Sequence, residues 1–379
     1  MKELAIVTYI KKFGLAKAID EFKLKCKVHE HKILLKYDQL ESDMSKEEVQ
    51  DCRGLILEKD TWKVMSLAFR KFFNSAEVHA AKINWHSAFV YEKMDGSMIQ
   101  VYWDWHKNTW FAGTSGMGEG DGEVNEKPNT SFNKLFWDTI SKYEWFDIDK
   151  LVKGRTYVFE LTTPYNIVVT PHGESNATLL GIRNLETLEE FNHTDLVRVA
   201  RELGIPMVKR FDLNPRNAGH LITTFEGMPY TEEGYVVCDG KFNRIKIKNP
   251  AYLAAHHLKS KTGAHNIMVI IKSNEIEEYG ATFPERREEL AELRIKYLEL
   301  LRELEDGWEW LKPYKPKNIT PKEKKKFAFK VFELVDKINP KLEKFKGLYF
   351  GLNDGKISDI KKWLADFDNK RLYTIFTNN

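Results

Sequence analysis

The sequence predicts an α+β protein, with an antiparallel-sheet domain and flanking helices over residues 1–255 and an all-α domain over 256–379. Three observations point there. From Gly54 to about Lys248, short runs rich in Val, Ile, Tyr, Trp and Phe are separated by Gly, Asp and Asn, the texture of strands and turns. After about Ala255 that texture gives way to apolar residues spaced three and four apart, with no strand pattern among them. The length of 379 residues suits two domains at roughly 100–200 residues each.

In chain order, Leu4, Val7, Ile10, Leu15, Ile19 and Phe22 keep helical spacing, so one helix is expected over 2–24. HKILLKY (31–37) follows as a strand, and Ser45-Lys46-Glu47-Glu48 fits a capping box opening a short helix. The β-rich region then reads RGLILEK, SAFVYEKM, SMIQVYWD, TWFAGTS, RTYVFELT, NIVVT, ATLLGIRN, EGYVVCD and NRIKIKN, interrupted by helices around Ser131–Tyr143 and His193–Leu203. In the tail, Leu290, Leu293, Tyr297, Leu301, Leu304 and Trp308 line a long amphipathic helix. Thr320-Pro321-Lys322-Glu323 supplies a cap, a proline at the first helical position and a capping-box glutamate for the next helix. Asn339-Pro340 starts another, and a last helix covers about Ile357–Phe367.

Composition narrows the class. Charged residues make up 30% of the chain, and no apolar run approaches the roughly 18 residues needed to span a bilayer, so no membrane partner is expected. The opening MKELAIVTYIKKFG carries Glu3, Lys11 and Lys12 and lacks a small-residue cleavage site, so it reads as a helix and not as a signal peptide. Cys26, Cys52 and Cys238 are too few and too scattered for a disulfide framework or a zinc site; they fit thiols in a reducing cytoplasm, a host's if the protein is viral. Net charge is +3, yet residues 256–379 hold 25 Lys/Arg against 20 Asp/Glu, concentrated around Lys312–Lys326. Such a surplus suits nucleic acid and equally suits a solvated surface.

The chemistry concentrates in a few short segments. Glu92-Lys93-Met94-Asp95-Gly96-Ser97 places a lysine after a strand and before a turn. A lysine nucleophile must lose its proton, which neighbouring cations and desolvation favour, and Gly96 would let backbone approach a nucleotide closely. Alone, K-x-D-G is also an ordinary exposed lysine before a turn. It does not stand alone: Cys52-Arg53-Gly54 and Arg70-Lys71-Phe72-Phe73-Asn74 precede it, and Phe159-Glu160, Glu233-Gly234-Tyr235-Val236 and Lys246-Ile247-Lys248 follow. Alternation puts Lys246 and Lys248 on one strand face, suited to a polyphosphate held against a sheet.

On these segments, over roughly residues 30–260, the chain resembles the covalent nucleotidyltransferase superfamily of ligases and mRNA capping enzymes, and most closely the phage-type RNA ligase 1 family. The resemblance implies that the sheet domain is an adenylyltransferase domain and that Lys93 is the adenylated lysine. It implies ATP contacts for Tyr37, Arg53, Lys71, Glu92, Glu160, Glu233, Lys246 and Lys248. Glu233 would hold Mg²⁺, or Mn²⁺, through its water shell, with Glu160 beside it. Tyr252 matches a position needed for ligation. The implied reaction runs through lysine–AMP and adenylated RNA to join a 5′-phosphate to a 3′-hydroxyl, as in repair of cleaved tRNA. The sequence departs from the family at Thr114-Ser115-Gly116, where a K-G-S lysine is often found, and it leaves Glu275 and Glu277 as undecided counterparts of a metal-associated acidic residue. A DNA ligase or capping guanylyltransferase would carry an OB-fold where this tail reads as helices. A non-catalytic RNA-binding protein would give no reason for the ordered motifs. The oligomeric state stays open.

Overall fold

The computed structural model describes residues 3–124, 127–167, 169–253, 263–273, 276–277, 286–316 and 320–377, which fall into two compact units, Met1–Lys259 and Ser260–Asn379. The boundary expected near residue 255 lies outside the described residues.

The first unit opens with two helices, α1 (Ala5–Phe13) and α2 (Leu15–Phe22), where one was expected. Gly14 separates them with φ +89°, a conformation closed to most other residues, and Lys23 ends α2 in the left-handed region. The apolar phase continues across the break, with Ile10, Ala18 and Phe22 in one core, which is why periodicity alone reads as a single helix. Strands β1 (Leu24–Val28), β2 (Lys32–Tyr37), β3 (Arg53–Glu58) and β4 (Val64–Ser66) then form an antiparallel sheet in chain order. The short helix α3 (Glu47–Asp51) lies between β2 and β3, but Ser45 does not cap it: the Ser45 hydroxyl donates to Asp43 at 2.6 Å, and Lys46 occupies the cap without a side-chain bond.

Next come β5 (Phe73–Asn74), β6 (Phe89–Glu92), β7 (Ser97–Asp104) and β8 (Thr109–Thr114). They are followed by the small pair β9 (Glu123–Val124) and β10 (Lys127–Ser131), and by α4 (Phe132–Ile140), capped by Ser131. Then β11 (Arg155–Thr162), β12 (Asn176–Asn184), α5 (His193–Leu203), β13 (Arg210–Phe211), α6 (Ala218–Thr223), β14 (Gly234–Cys238) and β15 (Arg244–Lys248) complete the unit. One sheet has the order β12-β11-β7-β8 and the other β13-β6-β14-β15-β5. Among the described strands, pairing is antiparallel except between β15 and the short edge strand β5. The expected strand NIVVT does not form among its described residues, because the backbone N–H groups of Val169 and Thr170 turn toward the Asp95 carboxylate.

The second unit is helical in its described residues. The long helix runs Arg287–Leu311, and Thr320 caps Pro321–Glu333 by accepting from the Glu323 amide. Asn339 opens a 3-10 turn over Pro340–Phe345 that leads into Lys346–Asn353. The expected last helix is shorter, Ile360–Asp366, and another follows over Asn369–Thr377. Its start is signalled by Asp368, whose carboxylate accepts from the Arg371 amide. Among the described residues no helix is long and apolar enough to cross a membrane, and all three cysteines are free thiols.

A buried ion cluster ties the N-terminal sheet to β7. Lys32 is wholly buried, with Nζ 2.7 Å from Asp104 and 2.9 Å from Glu119, above the Phe111 ring. His31 and the amides of His106 and Lys107 also meet Asp104. Burial works to raise the Asp104 carboxyl, but Lys32, His31 and the Lys107 amide outweigh it and hold it well below the ordinary carboxylate range. Lys32→Met removes the buried cation that Asp104 and Glu119 share, so it should cost roughly 3–5 kcal/mol in urea unfolding, and adding Asp104→Asn should recover part of that loss.

Candidate active site

The Lys93–Gly96 loop connects β6 of one sheet to β7 of the other, so the proposed nucleophile stands where the chain crosses between sheets. On the β6–β14–β15 ladder, Val236 pairs with both Tyr91 and Lys246, which puts these three side chains on one face. Lys93 continues that face and donates its amide to the Gly234 carbonyl at 2.9 Å. A cavity of about 340 Å³ opens over this face. Lys93, Glu160, Lys246, Arg53, Lys71 and Tyr37 line it, with Met98, Leu180, Val208 and Val236 as apolar wall.

The site is densely charged. Lys93 Nζ lies 2.5 Å from Glu233 Oε1, and Lys248 Nζ reaches the same oxygen at 3.7 Å. Lys246 looks into the cavity, whereas its strand partner Lys248 faces Glu233 and the Tyr252 ring. Arg53 stacks over Phe72, and its Nη1 is buried with no hydrogen-bond partner among the described residues. Lys71 sits over the rings of Tyr37 and Phe73. Glu92 alternates to the opposite sheet face with Tyr235, toward a second cavity of about 80 Å³ behind the loop. Burial raises its carboxyl, and Lys209 opposes that rise.

Glu160 is half-buried against the cavity wall. Desolvation, with repulsion from Glu233 and Asp95, therefore pushes its carboxyl up to about 8 against the opposing pull of Lys93 and Arg53.

Beneath the loop lies a clamp that motif reading did not assign. Asp95 is buried and accepts hydrogen bonds from the Tyr252 hydroxyl at 3.0 Å and from the amides of Val169 and Thr170, while His172 donates to its carbonyl. Tyr252 is thus buried under Lys93's loop, with its hydroxyl on Asp95. Asp95 was visible in K-x-D-G; nothing near His172 signalled its part. Gly96 also differs from expectation: a Cβ there would lie 2.6 Å from the Leu161 carbonyl and 3.1 Å from Glu160, so its missing side chain lets β11 approach as well as opening the cavity. Glu277 pairs with Arg287 in the second unit, and Glu275 lies outside the described residues.

A profile of the RNA ligase family matches residues 51–252, more than half of the chain and the whole span from β3 to Tyr252. The chain belongs to the RNA ligase family. This ligase is 25% identical over 349 residues to an RNA ligase of Rhodothermus phage RM378, covering 76% of this chain and 79% of that one. It is 28% identical over 297 residues to a protein of Autographa californica nuclear polyhedrosis virus described as a bifunctional polynucleotide kinase/RNA ligase, covering 72% of this chain and 40% of that one. An archaeal ATP-dependent RNA ligase structure aligns with a TM-score of 0.46 at 14% identity, over 92% of this chain and 83% of that one.

The raised Glu160 carboxyl has a consequence for stability. The folded ligase holds this proton more tightly than the unfolded chain, so this group's contribution is fully present below about pH 4.5 and is lost as pH rises through about 8. Glu160→Gln removes that dependence. Its thermal midpoint should match the parent near pH 4.5, exceed it increasingly up to about pH 8 and keep a constant lead above that, as read by a melting series without nucleotide.

Proposed function

We propose that this protein is an ATP-dependent RNA ligase that works through a Lys93–AMP adduct. The observation that carries the reading is the convergence on one cavity of Lys93, the Lys246 ammonium and the unpartnered Arg53 guanidinium nitrogen. Met98, Leu180 and Val236 suit the flat face of a base, and Lys246 suits the α-phosphate.

In the first step the neutral Lys93 amine attacks the α-phosphorus of ATP. The N–P bond forms, the bond to the β-phosphate oxygen breaks, pyrophosphate leaves and the amine proton is lost. Lys246 and Arg53 stabilise the phosphoryl oxygens. In the second step an RNA 5′-phosphate oxygen attacks the same phosphorus, the N–P bond breaks and Lys93 is regenerated. In the third, a 3′-hydroxyl attacks the RNA phosphate, forming the phosphodiester and expelling AMP. Dividing the joining into these steps lowers each barrier.

Mg²⁺, or Mn²⁺, fits Glu160 and Glu233 through its water shell. Among the described residues no group of three or more ligating side chains forms a cage, and a small hard cation takes one or two carboxylates plus water and phosphate. The repulsion among Glu160, Glu233 and Asp95 is what such a charge would relieve. When bound it would add positive charge against the phosphates. Three unpaired thiols suit a reducing cytoplasm.

We further propose that the second unit, residues 260–379, contacts RNA. On its helix Pro321–Glu333, Phe329 and Phe332 are exposed among lysines, and Lys330 lies over the rings of Tyr314 and Trp310. Exposed rings and cations together suit single-stranded ends.

Two tests follow from these assignments. Lys93→Ala should lose all covalent labelling by radiolabelled ATP yet still seal a pre-adenylated RNA donor; labelling of the variant would overturn the assignment. Replacing Lys324, Lys325 and Lys326 together by Ala should leave Lys93 labelling intact and make the salt dependence of RNA binding shallower by about 2 in log–log slope. An unchanged slope would leave this surface merely solvated.

A further inference from the structure

We propose that Lys36, with Arg53, forms a phosphate-binding site at the edge of the nucleotide cavity, a role no motif in the chain signals; this rests on the ATP-dependent reading above. The argument begins in the pairing of β2 with β3. Their register runs Leu34 to Ile56 and Leu35 to Leu55, then slips so that Lys36 faces Arg53. The slip is a bulge at Gly54, whose φ of +82° suits glycine and whose carbonyl accepts from Gln100 Nε2 at 2.6 Å. Without the bulge Arg53 would follow Leu55 onto the opposite face, among the N-terminal helices. With it, two cations stand directly opposite each other on neighbouring strands.

Like charges in that position repel and destabilise a sheet. Of the charged groups acting most on Lys36, the Tyr37 phenol supports its ammonium, and Lys25, Lys27 and Arg53 oppose it. Among the described residues no carboxylate lies within ion-pair distance of Lys36 or Arg53; Glu160 acts on Arg53 from farther away. Burial further disfavours the Lys36 ammonium. Contrast Lys32, on the same face of the same strand, which has two carboxylates in contact.

The Lys36 ammonium is delivered to the Thr114–Met117 turn: a Cβ on Gly116 would lie 3.5 Å from its Nζ. The turn carries no cation of its own, and it packs on Gly54, where a Cβ would meet Ser115 Cα at 2.7 Å. Arg53 lines the cavity with Tyr37 and Lys71, and Lys36 stands opposite Arg53, outside that lining. A phosphate group satisfies both cations and supplies the acceptor that the buried Arg53 Nη1 lacks. Its source is either the distal phosphates of ATP or the 5′-phosphate of the RNA.

The test compares the full-length parent with Lys36→Met and Lys36→Arg. Single-turnover labelling of Lys93 over an ATP series reports the first source, and transfer of AMP from pre-labelled protein to 5′-phosphorylated RNA reports the second. Lys36→Met should raise the half-saturating concentration of ATP or of RNA about tenfold, and Lys36→Arg should restore most of it. The step affected names the source. Inorganic tripolyphosphate should also raise the thermal midpoint of the parent more than that of Lys36→Met, whereas Lys36→Met without ligand should melt no lower than the parent. Unchanged saturation in both steps would overturn the site, as would a destabilised Lys36→Met that tripolyphosphate stabilises as well as the parent. A parent that never labels with ATP would overturn the ATP-dependent reading instead, and the tripolyphosphate arm would still decide whether Lys36 binds phosphate.

Discussion

Lys93 is held twice by one short stretch of distant chain: its amide bonds the Gly234 carbonyl, and its ammonium meets the Glu233 carboxylate. Both contacts depend on β14 pairing with β6 on one side and β15 on the other, because that ladder brings residues 93, 233 and 248 to one end of the sheet. The Asp95 clamp fixes the loop from beneath, through the Tyr252 hydroxyl and two amides of the 169–170 segment. A flexible lysine is thereby given one position before any ligand arrives, which reduces the ordering that binding would otherwise have to supply.

The electrostatics follow from the same crowding. Glu160, Glu233 and Asp95 are brought near one another in a desolvated place, and at equilibrium one of the carboxyls resists ionising, namely Glu160. Lys93, Lys246, Lys248 and Arg53 offset the negative charge without cancelling it pair by pair. A site arranged this way is poised for a ligand carrying both signs, such as a metal-bound nucleotide. Stability is surrendered locally, and buried pairs elsewhere, such as Lys32 with Asp104, hold the sheets that frame it.

Strand β2 illustrates how position outweighs residue type. Lys32 and Lys36 point to the same side, two pleats apart. One is closed inside a carboxylate cluster and serves the fold; the other stands against an arginine at the cavity's edge. A bulge of a single residue at Gly54 makes the difference.

Much of this was legible in the chain itself. Alternation and turn residues marked β3, β6, β7, β8, β11, β12, β14 and β15, because a half-buried strand must alternate, but not the strands β4, β5, β9, β10 and β13. Thr320-Pro321 and Asn339-Pro340 marked helix starts, because capping chemistry is local. The ordered short motifs marked Lys93, Glu160, Glu233 and Lys246 as one set. Local pattern failed where backbone geometry interrupted a continuing apolar phase, as at Gly14, or where a partner far along the chain claimed the hydrogen bonds, as in NIVVT. It could not separate Lys246 from Lys248, since both share a face and only the neighbours across the ladder distinguish cavity from carboxylate. Nor could it find His172, Tyr252's bond to Asp95 or the pairing of Lys36 with Arg53. The sequence determined which residue types could do the chemistry and which elements would carry them; tertiary structure alone decided which charges meet, because burial, repulsion and hydrogen-bond partners are set by contacts between residues that local periodicity never relates.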